Sequence, residues 1–361
     1  MSPKTRQWTD TWSKSSVCGE GTDRMAIRRH LVTIVCVSLS LATGAASVWS
    51  DEQPSTGAAS KTSTATGDEA PAEKYKLEFK FRPNQILRYE VFNEQEITTK
   101  AREEIEVQRN TTKTKRHYRV AALDEKTGAA DLEMSIDWVY MRALWDKKDG
   151  IRPRPVEFQS DDPDKHPEEF RHVLASVGKP WATIRFRPTG SPVKVVSSAV
   201  KSSDGKSLTS ATGADGALEA YLIVLPEQPV AIGEFWTEKF DVITPDENRN
   251  RTRVTIQRSY KLTKVDAGRA TIELTTAILS PITNPSIASQ LLLLEVAGKI
   301  KFDIERGQIV SKEWTVQNTV VNPIPGVTSL MKGSGRYTEK LIAEEPAPER
   351  PAAGANLTSQ K

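Results

Sequence analysis

Val296-Ala-Gly-Lys-Ile-Lys-Phe-Asp-Ile-Glu-Arg-Gly-Gln-Ile-Val-Ser-Lys-Glu-Trp-Thr-Val316 reads as a β-hairpin. On its first arm Ile300, Phe302 and Ile304 alternate with Lys299, Lys301, Asp303 and Glu305. A period of two gathers the apolar set on one face of a sheet. On the second arm Val310, Trp314 and Val316 share a parity, and Lys312 breaks it. An odd-numbered loop around Glu305-Arg306-Gly307, with Gly307 left-handed, aligns the two apolar faces. It sets Phe302 opposite Val310 and Gly298 opposite Trp314. A two-residue loop would set Phe302 opposite Ser311 and is rejected on register.

The same style extends in both directions. Tyr75-Lys-Leu-Glu-Phe-Lys-Phe81 alternates cleanly. Gln85–Lys100 and Arg102–Ala122 read as longer strands, and Leu132, Met134, Ile136 and Trp138 as a half-buried one. Pro167–Val177 reads as a helix, with proline and acids in its first turn and an apolar stripe of Phe170, Leu174 and Val177. Trp181–Val196 is a hairpin turning at Arg187-Pro-Thr-Gly190. Further on, Phe235–Val242, Arg251–Val265, Ala270–Ile278 and Ser334–Ile342 are strands. Ala217–Leu225 and Ile287–Leu294 are short apolar segments.

The order of elements recurs. Tyr118-Arg-Val with Asp124 and Gly128 corresponds to Tyr260-Lys-Leu with Asp266 and Gly268, about 140 residues on. The turn glycines Gly190 and Gly307 are 117 apart, which a charge- and proline-rich insertion at Lys147–Glu169 explains. Chance recurrence of a common β-turn pattern is the competing account. The expected class is α+β, mainly antiparallel β: a curved sheet or half-barrel of two repeats, each with a short helix packed on the sheet. The expected segments are a signal peptide over 1–50, a disordered tether over 51–73, repeats over 74–200 and 217–343 joined by a linker at 201–216, and a disordered tail over 344–361.

Arg28-Arg29-His30, the apolar run Leu31–Leu41 and the small residues Ala42, Gly44, Ala45 and Ala46 follow the order of a secretory signal. The run is short of the roughly 20 residues a spanning helix needs, so no stable membrane span is expected in the mature chain. Met25 heads the more usual signal and is the expected initiator. An exported chain, periplasmic or extracellular, is implied. Both cysteines, Cys18 and Cys36, lie in the part removed, which leaves no disulfide and no thiolate chemistry. The 361 residues carry 50 Lys and Arg against 47 Asp and Glu; residues 1–50 hold six and three of these, so the remainder balances at 44 each. That balance offers no basic field for nucleic acid.

Asp161-Asp-Pro-Asp-Lys-His166-Pro-Glu-Glu169 with His172 is the densest group of ligand types. Glu168 and His172 would share a helix face, but acids before a helix also serve its dipole, and no metal or cofactor is assigned. No G-x-S-x-G, H-E-x-x-H, C-x-x-C or phosphate-binding glycine loop occurs, and no catalytic residue is assigned. Asn110-Thr-Thr, Asn250-Arg-Thr and Asn356-Leu-Thr match glycan acceptors, triplets that also arise by chance. The five Trp beyond residue 50 read as strand-face or core residues rather than a sugar platform.

Pro229-Val-Ala-Ile-Gly-Glu-Phe-Trp236, the long strands after it and the Phe302–Gly307 pattern Phe-Asp-x-Glu-x-Gly resemble uncharacterised exported bacterial proteins built as a duplicated β-rich domain. The resemblance covers roughly residues 75–343 and brings no activity with it. At fold level alone, long strands around short helices are similar to the half-barrel of outer-membrane lipoprotein carriers. The reading that follows is a non-catalytic envelope protein that holds an apolar ligand or lipid on a concave sheet face, with Trp138, Leu291, Leu293 and Phe302 lining the cavity. The alternative is a structural or protein-interaction module of the envelope whose sheet face is filled core. A hydrolase comes third.

Overall fold

The structure is a computed structural model and describes residues 73–147, 155–198, 222–246, 248 and 250–345. The expected signal peptide, the tether up to residue 72, the linker 201–216 and the tail from residue 346 lie outside the described residues.

One antiparallel sheet dominates. The chain enters it in the middle at β2 (Ile86–Ala101) and steps outward through β3 (Glu104–Leu123), β4 (Ala130–Lys147), β6 (Pro180–Phe186) and β7 (Pro192–Ser198). A short β5 (Val156–Gln159), inside the stretch read as an insertion, pairs with the far half of β4. The chain resumes at the opposite edge with β9 (Phe235–Pro245). It returns through β10 (Arg251–Asp266), β11 (Arg269–Ile278), β12 (Ala297–Asp303) and β13 (Gln308–Val321) to β14 (Ser329–Glu345), which pairs with β2. The 12 strands are all antiparallel, and β7 and β9 are left as edges. A two-stranded sheet joins β1 (Lys74–Tyr75) to β8 (Val230–Ala231).

Paired residues share a face, so the register sorts the side chains. The inner face carries Tyr89, Tyr118, Leu132, Ile184, Tyr260, Ile272, Ile300 and Phe302, all buried. The outer face is mostly charged and polar, as expected where one side of an antiparallel sheet meets water. Across the lower inner face run the segments 77–81 and 222–230. Their Leu77, Phe79, Ile223, Leu225 and Val230 pack on β10–β13, while Phe81 and Leu222 also touch the cluster on β2–β4 and β6.

Those contacts force curvature. Laid flat at about 4.8 Å per strand, the eleven strands from β7 to β9 would span roughly 48 Å. Yet Leu225 N donates to Thr189 O in the β6–β7 turn at 2.7 Å, and Trp236 Nε1 on β9 donates to the neighbouring Val224 O at 2.7 Å. Both edges of the sheet therefore meet one dipeptide at the lower end, and the sheet is rolled although it does not close. The β6–β7 and β12–β13 turns meet the other segment: Phe79 N donates to Pro188 O at 2.7 Å and Lys80 N to Gly307 O at 3.1 Å.

In the opening hairpin Gly298 faces Trp314 and Ile300 faces Lys312, the expected register. Nearer the turn it slips by one, and Phe302 pairs with Ile309, not Val310. The four-residue loop 304–307 is closed by Gly307 N to Asp303 O, 2.8 Å, and by Arg306 N to Asp303 Oδ1, 2.8 Å. A bulge at Val310 then absorbs the odd residue and sends Ile309 inward.

The expected helix over 167–177 is instead a 3-10 turn (Glu168–Phe170) followed by one helical turn (Arg171–Leu174). Ser176 Oγ bonds back to Val173 O, and Val177 forms a bridge to Ile136, with Gly178 N on Ile136 O at 2.8 Å. The uncovered edge of β4 takes the backbone that a longer helix would have used. In the second half α1 (Pro285–Gln290) is a real but short helix, capped where Asn284 Oδ1 accepts from Ser286 N at 2.8 Å. It packs its Ile287, with Leu291, on Val254 and Ile256.

Candidate functional site

Between the filled lower end and the α1 cluster, the inner face carries a belt of polar side chains. Each lies where an apolar residue would be expected on a buried face. β3 supplies Arg116, β13 Lys312, and β14 Tyr337 and Glu339; further round lie Arg258 on β10 and Glu238 on β9. Register places Lys312 opposite Glu339, Trp314 opposite Tyr337 and Arg258 opposite Glu238.

Glu339 Oε2 is the hub. Lys312 Nζ lies 2.6 Å from it, Arg116 Nη2 2.9 Å, and Tyr337 donates its hydroxyl at 2.7 Å. Arg116 also donates to the Tyr337 oxygen at 2.9 Å. The side chains of Lys312 and Glu339 are 2% and 1% exposed, and that of Arg116 13%. Burial by itself pushes the Glu339 carboxyl up, but the adjacent Arg116 and Lys312 outweigh it and hold the group below its ordinary value. Lys312 goes down as well: burial and the charges of Arg116 and Arg258 prevail over Glu339. Burial drives Tyr337, Tyr118 and Tyr260 well up, so these phenols keep their protons, and Tyr337 and Tyr260 serve as donors. Tyr260 donates to Glu238 Oε2 at 2.9 Å, beside Arg258.

Charge counting gives the belt its chemistry. Among the described residues it holds three cations, Arg116, Lys312 and Arg258, and two carboxylates, Glu339 and Glu238. Taking charges from water costs several kcal/mol each, and at the hub two cations, Arg116 and Lys312, share the one carboxylate of Glu339. Arg116 Nε and Thr276 Oγ1, the latter opposite Arg258, are buried without a hydrogen-bond partner.

Beside the charges, Trp314 and Tyr337 stack with ring centroids 4.0 Å apart and 5° between planes. Gly298, opposite Trp314, has to be glycine: a Cβ there would lie 2.6 Å from Cα and Cβ of the tryptophan. The inner-face residues Asn93, Gln95, Thr114, Trp314, Gly335 and Tyr337 are half-buried, so solvent reaches this level. The space below does not admit a ligand. The recess between Phe79, Phe81, Tyr89, Tyr118, Leu132 and Leu222 measures only about 20 Å³, room for about one water. The larger depression, about 240 Å³, lies mainly under outer-face residues such as Lys299, Lys301, Ser311 and Lys340 and has polar walls.

The four residues read from the sequence as cavity lining do not meet. Phe302 is fully buried in the lower core, edge-on to Phe79 at 5.5 Å. Leu291 belongs to the α1 cluster, and Leu293 is half-buried above Gly333. Trp138 is on the outer face, donating to Asp161 Oδ1 at 2.9 Å with Lys115 Nζ 5.8 Å from its ring. The cause is a bulge: Lys115 pairs with Trp138 but Arg116 with Ile136, so Asp137 is an extra residue that reverses the parity. Val139, not Trp138, points inward and is buried.

In the acidic segment, Asp162 caps the turn Pro163–Lys165 by accepting from Asp164 N at 3.2 Å, and His166 Nε2 meets Gln159 O at 3.0 Å. The His172 side chain, needed for the Glu168 pairing, lies outside the described part. The belt itself was missed from the sequence. Its only trace there is Lys312, the residue that broke the alternation of its strand.

Comparison with known proteins adds little chemistry. Residues 206–324 match the model of DUF6263, a family of unknown function. No curated protein matches. One solved structure similar to the chain is described as lipid-protein interactions in lipovitellin, with 11% identity and a TM-score of 0.42, covering 76% of this chain. This chain spans 26% of that one. Among the described residues no helix is long and apolar enough to cross a membrane.

Proposed function

We propose that the chain is an exported, non-catalytic cell-envelope protein that holds an apolar ligand or lipid against the inner face of its rolled sheet, above the plugged lower end. The observation that supports this reading is the half-buried level at Trp314, Gly335 and Tyr337. There the inner face is neither filled by the crossing segments nor covered by α1. On this reading the two meanders β2–β7 and β9–β13 descend from one duplicated unit. Tyr118 and Tyr260 hold equivalent inner-face places, and Gly190 and Gly307 are both left-handed, at φ 79 and 63.

A second reading, a structural or protein-interaction module of the envelope, is favoured by the lower core, whose recess has room for about one water. Native mass spectrometry on protein purified from its own envelope separates the two. The ligand reading expects an added mass that is lost on denaturation. A bare protein mass in repeated detergent-free preparations would overturn it in favour of the module.

A further inference from the structure

We infer that the ligand is an amphiphile with a singly charged anionic head, a carboxylate or phosphate, anchored by Arg116 and Lys312 at the belt. The inference deepens the lipid-holding reading and rests on it. The first argument is charge. Arg116 and Lys312 share the single carboxylate of Glu339, so the hub carries one positive charge in excess, and an anion of one charge neutralises it. The second is hydrogen bonding. Arg116 spends its Nη2 on Glu339 and Tyr337, while its Nε has no partner, and a guanidinium edge of that kind is suited to an oxyanion. The third is access, since the Arg116 side chain is less buried than that of Lys312.

What lies beyond the head fits a chain. Along the inner face of β13 the residues after Lys312 are Trp314, Val316, Asn318 and Val320, by register with β14. Trp314 and Val320 are half-buried, and half-buried Leu293 stands over Gly333 across from Asn318. An alkyl chain leaving the belt would run over the Trp314 ring and these aliphatic groups. An acid too short to reach them would forgo that burial, about 0.8 kcal/mol for each methylene.

The test is titration calorimetry on the full chain, freed of co-purified lipid, with four probes: oleate, oleyl alcohol, butyrate and inorganic phosphate. Oleate is expected to bind, and oleyl alcohol at least about tenfold more weakly, the loss of one charge-assisted contact. Arg116→Gln should weaken oleate by about tenfold or more and leave the alcohol unchanged. Glu339→Gln, which removes the competing carboxylate, should tighten oleate. Circular dichroism checks that each variant folds, and if Arg116→Gln does not fold, Arg116→Lys, which keeps the charge but loses the guanidinium edge, should still weaken oleate and leave the alcohol unchanged. Equal binding of acid and alcohol, indifferent to Arg116, would overturn the anionic anchor and leave lipid holding intact. Binding of butyrate and phosphate as tight as oleate would overturn the amphiphile and leave a small-anion site. No binding by any probe would overturn both.

Discussion

Lys312 and Glu339 set the chemistry of the molecule's interior by being charged where their neighbours are aliphatic. A buried pair of this kind is weak evidence for stability, but breaking it is costly because the remaining charge stays buried. Glu339→Gln should cost about 3 kcal/mol in urea unfolding, because it leaves both Arg116 and Lys312 without their carboxylate, and adding Lys312→Met should recover part of that loss. If the double variant is as unstable as the single, Glu339 is not the group that Lys312 compensates. The carboxyl also gives a pH signature. Its folded pKa lies below the ordinary 4.5, so the unfolded chain binds more protons in that range. Its contribution is complete above pH 4.5 and fades as the pH falls through the lowered folded value. Glu339→Gln should therefore flatten the acid limb of a stability–pH curve, while the limb above pH 5 keeps its slope.

At the level of single elements, the β6–β7 and β12–β13 hairpin turns hold the crossing segments. Gly190 and Gly307 are left-handed, and neither has room for a side chain: a Cβ at Gly190 would overlap the Ile223 carbonyl and lie 2.6 Å from Phe79 Cε2, and one at Gly307 would lie 2.5 Å from Lys80 Cγ. Gly268 is equally left-handed, but open space surrounds it. Alanine at Gly268 should cost about 1 kcal/mol for the backbone conformation alone, and alanine at Gly190 or Gly307 at least about 2 kcal/mol more once atoms must move. Thermal unfolding of the three variants measures the difference, and equal losses would mean that the crossing segments yield easily. The hairpin at Val296–Val316 shows how far such elements can be read from sequence. Its register away from the turn and its left-handed Gly307 follow from alternation and turn chemistry, whereas the four-residue loop in place of the expected odd one, and the bulge at Val310 that restores the parity, depend on how the loop closes.

For the whole sheet, the rolled form hangs on a short seam. Leu225 is buried, its backbone holds the β6–β7 turn, and the preceding carbonyl holds Trp236 of β9. Leu225→Ala should destabilise by about 2–5 kcal/mol through the cavity it leaves. Because the seam serves both edges, hydrogen exchange should quicken in β7 and in β9 together, although they lie at opposite ends of the strand order. Faster exchange at one edge alone would show that the sheet keeps its roll without the seam.

Alternation of apolar residues, left-handed glycines and turn chemistry are local, so the antiparallel class, most strands and the β12–β13 hairpin could be read from the chain itself. A bulge needs only one extra residue, and nothing in the pattern Leu132, Met134, Ile136, Trp138 announces the one at Asp137 that turns Trp138 outward. The helix expected over 167–177 was lost for a similar reason, since the open edge of β4 offered Val177 and Gly178 better partners than a further helical turn. The belt is less local still. Arg116, Lys312 and Glu339 come from three strands and become neighbours only when the last strand closes on the first. Each is unremarkable in its own segment. Only the tertiary structure brings their charges within hydrogen-bonding distance, out of water, where they have to be balanced by one another or by a ligand.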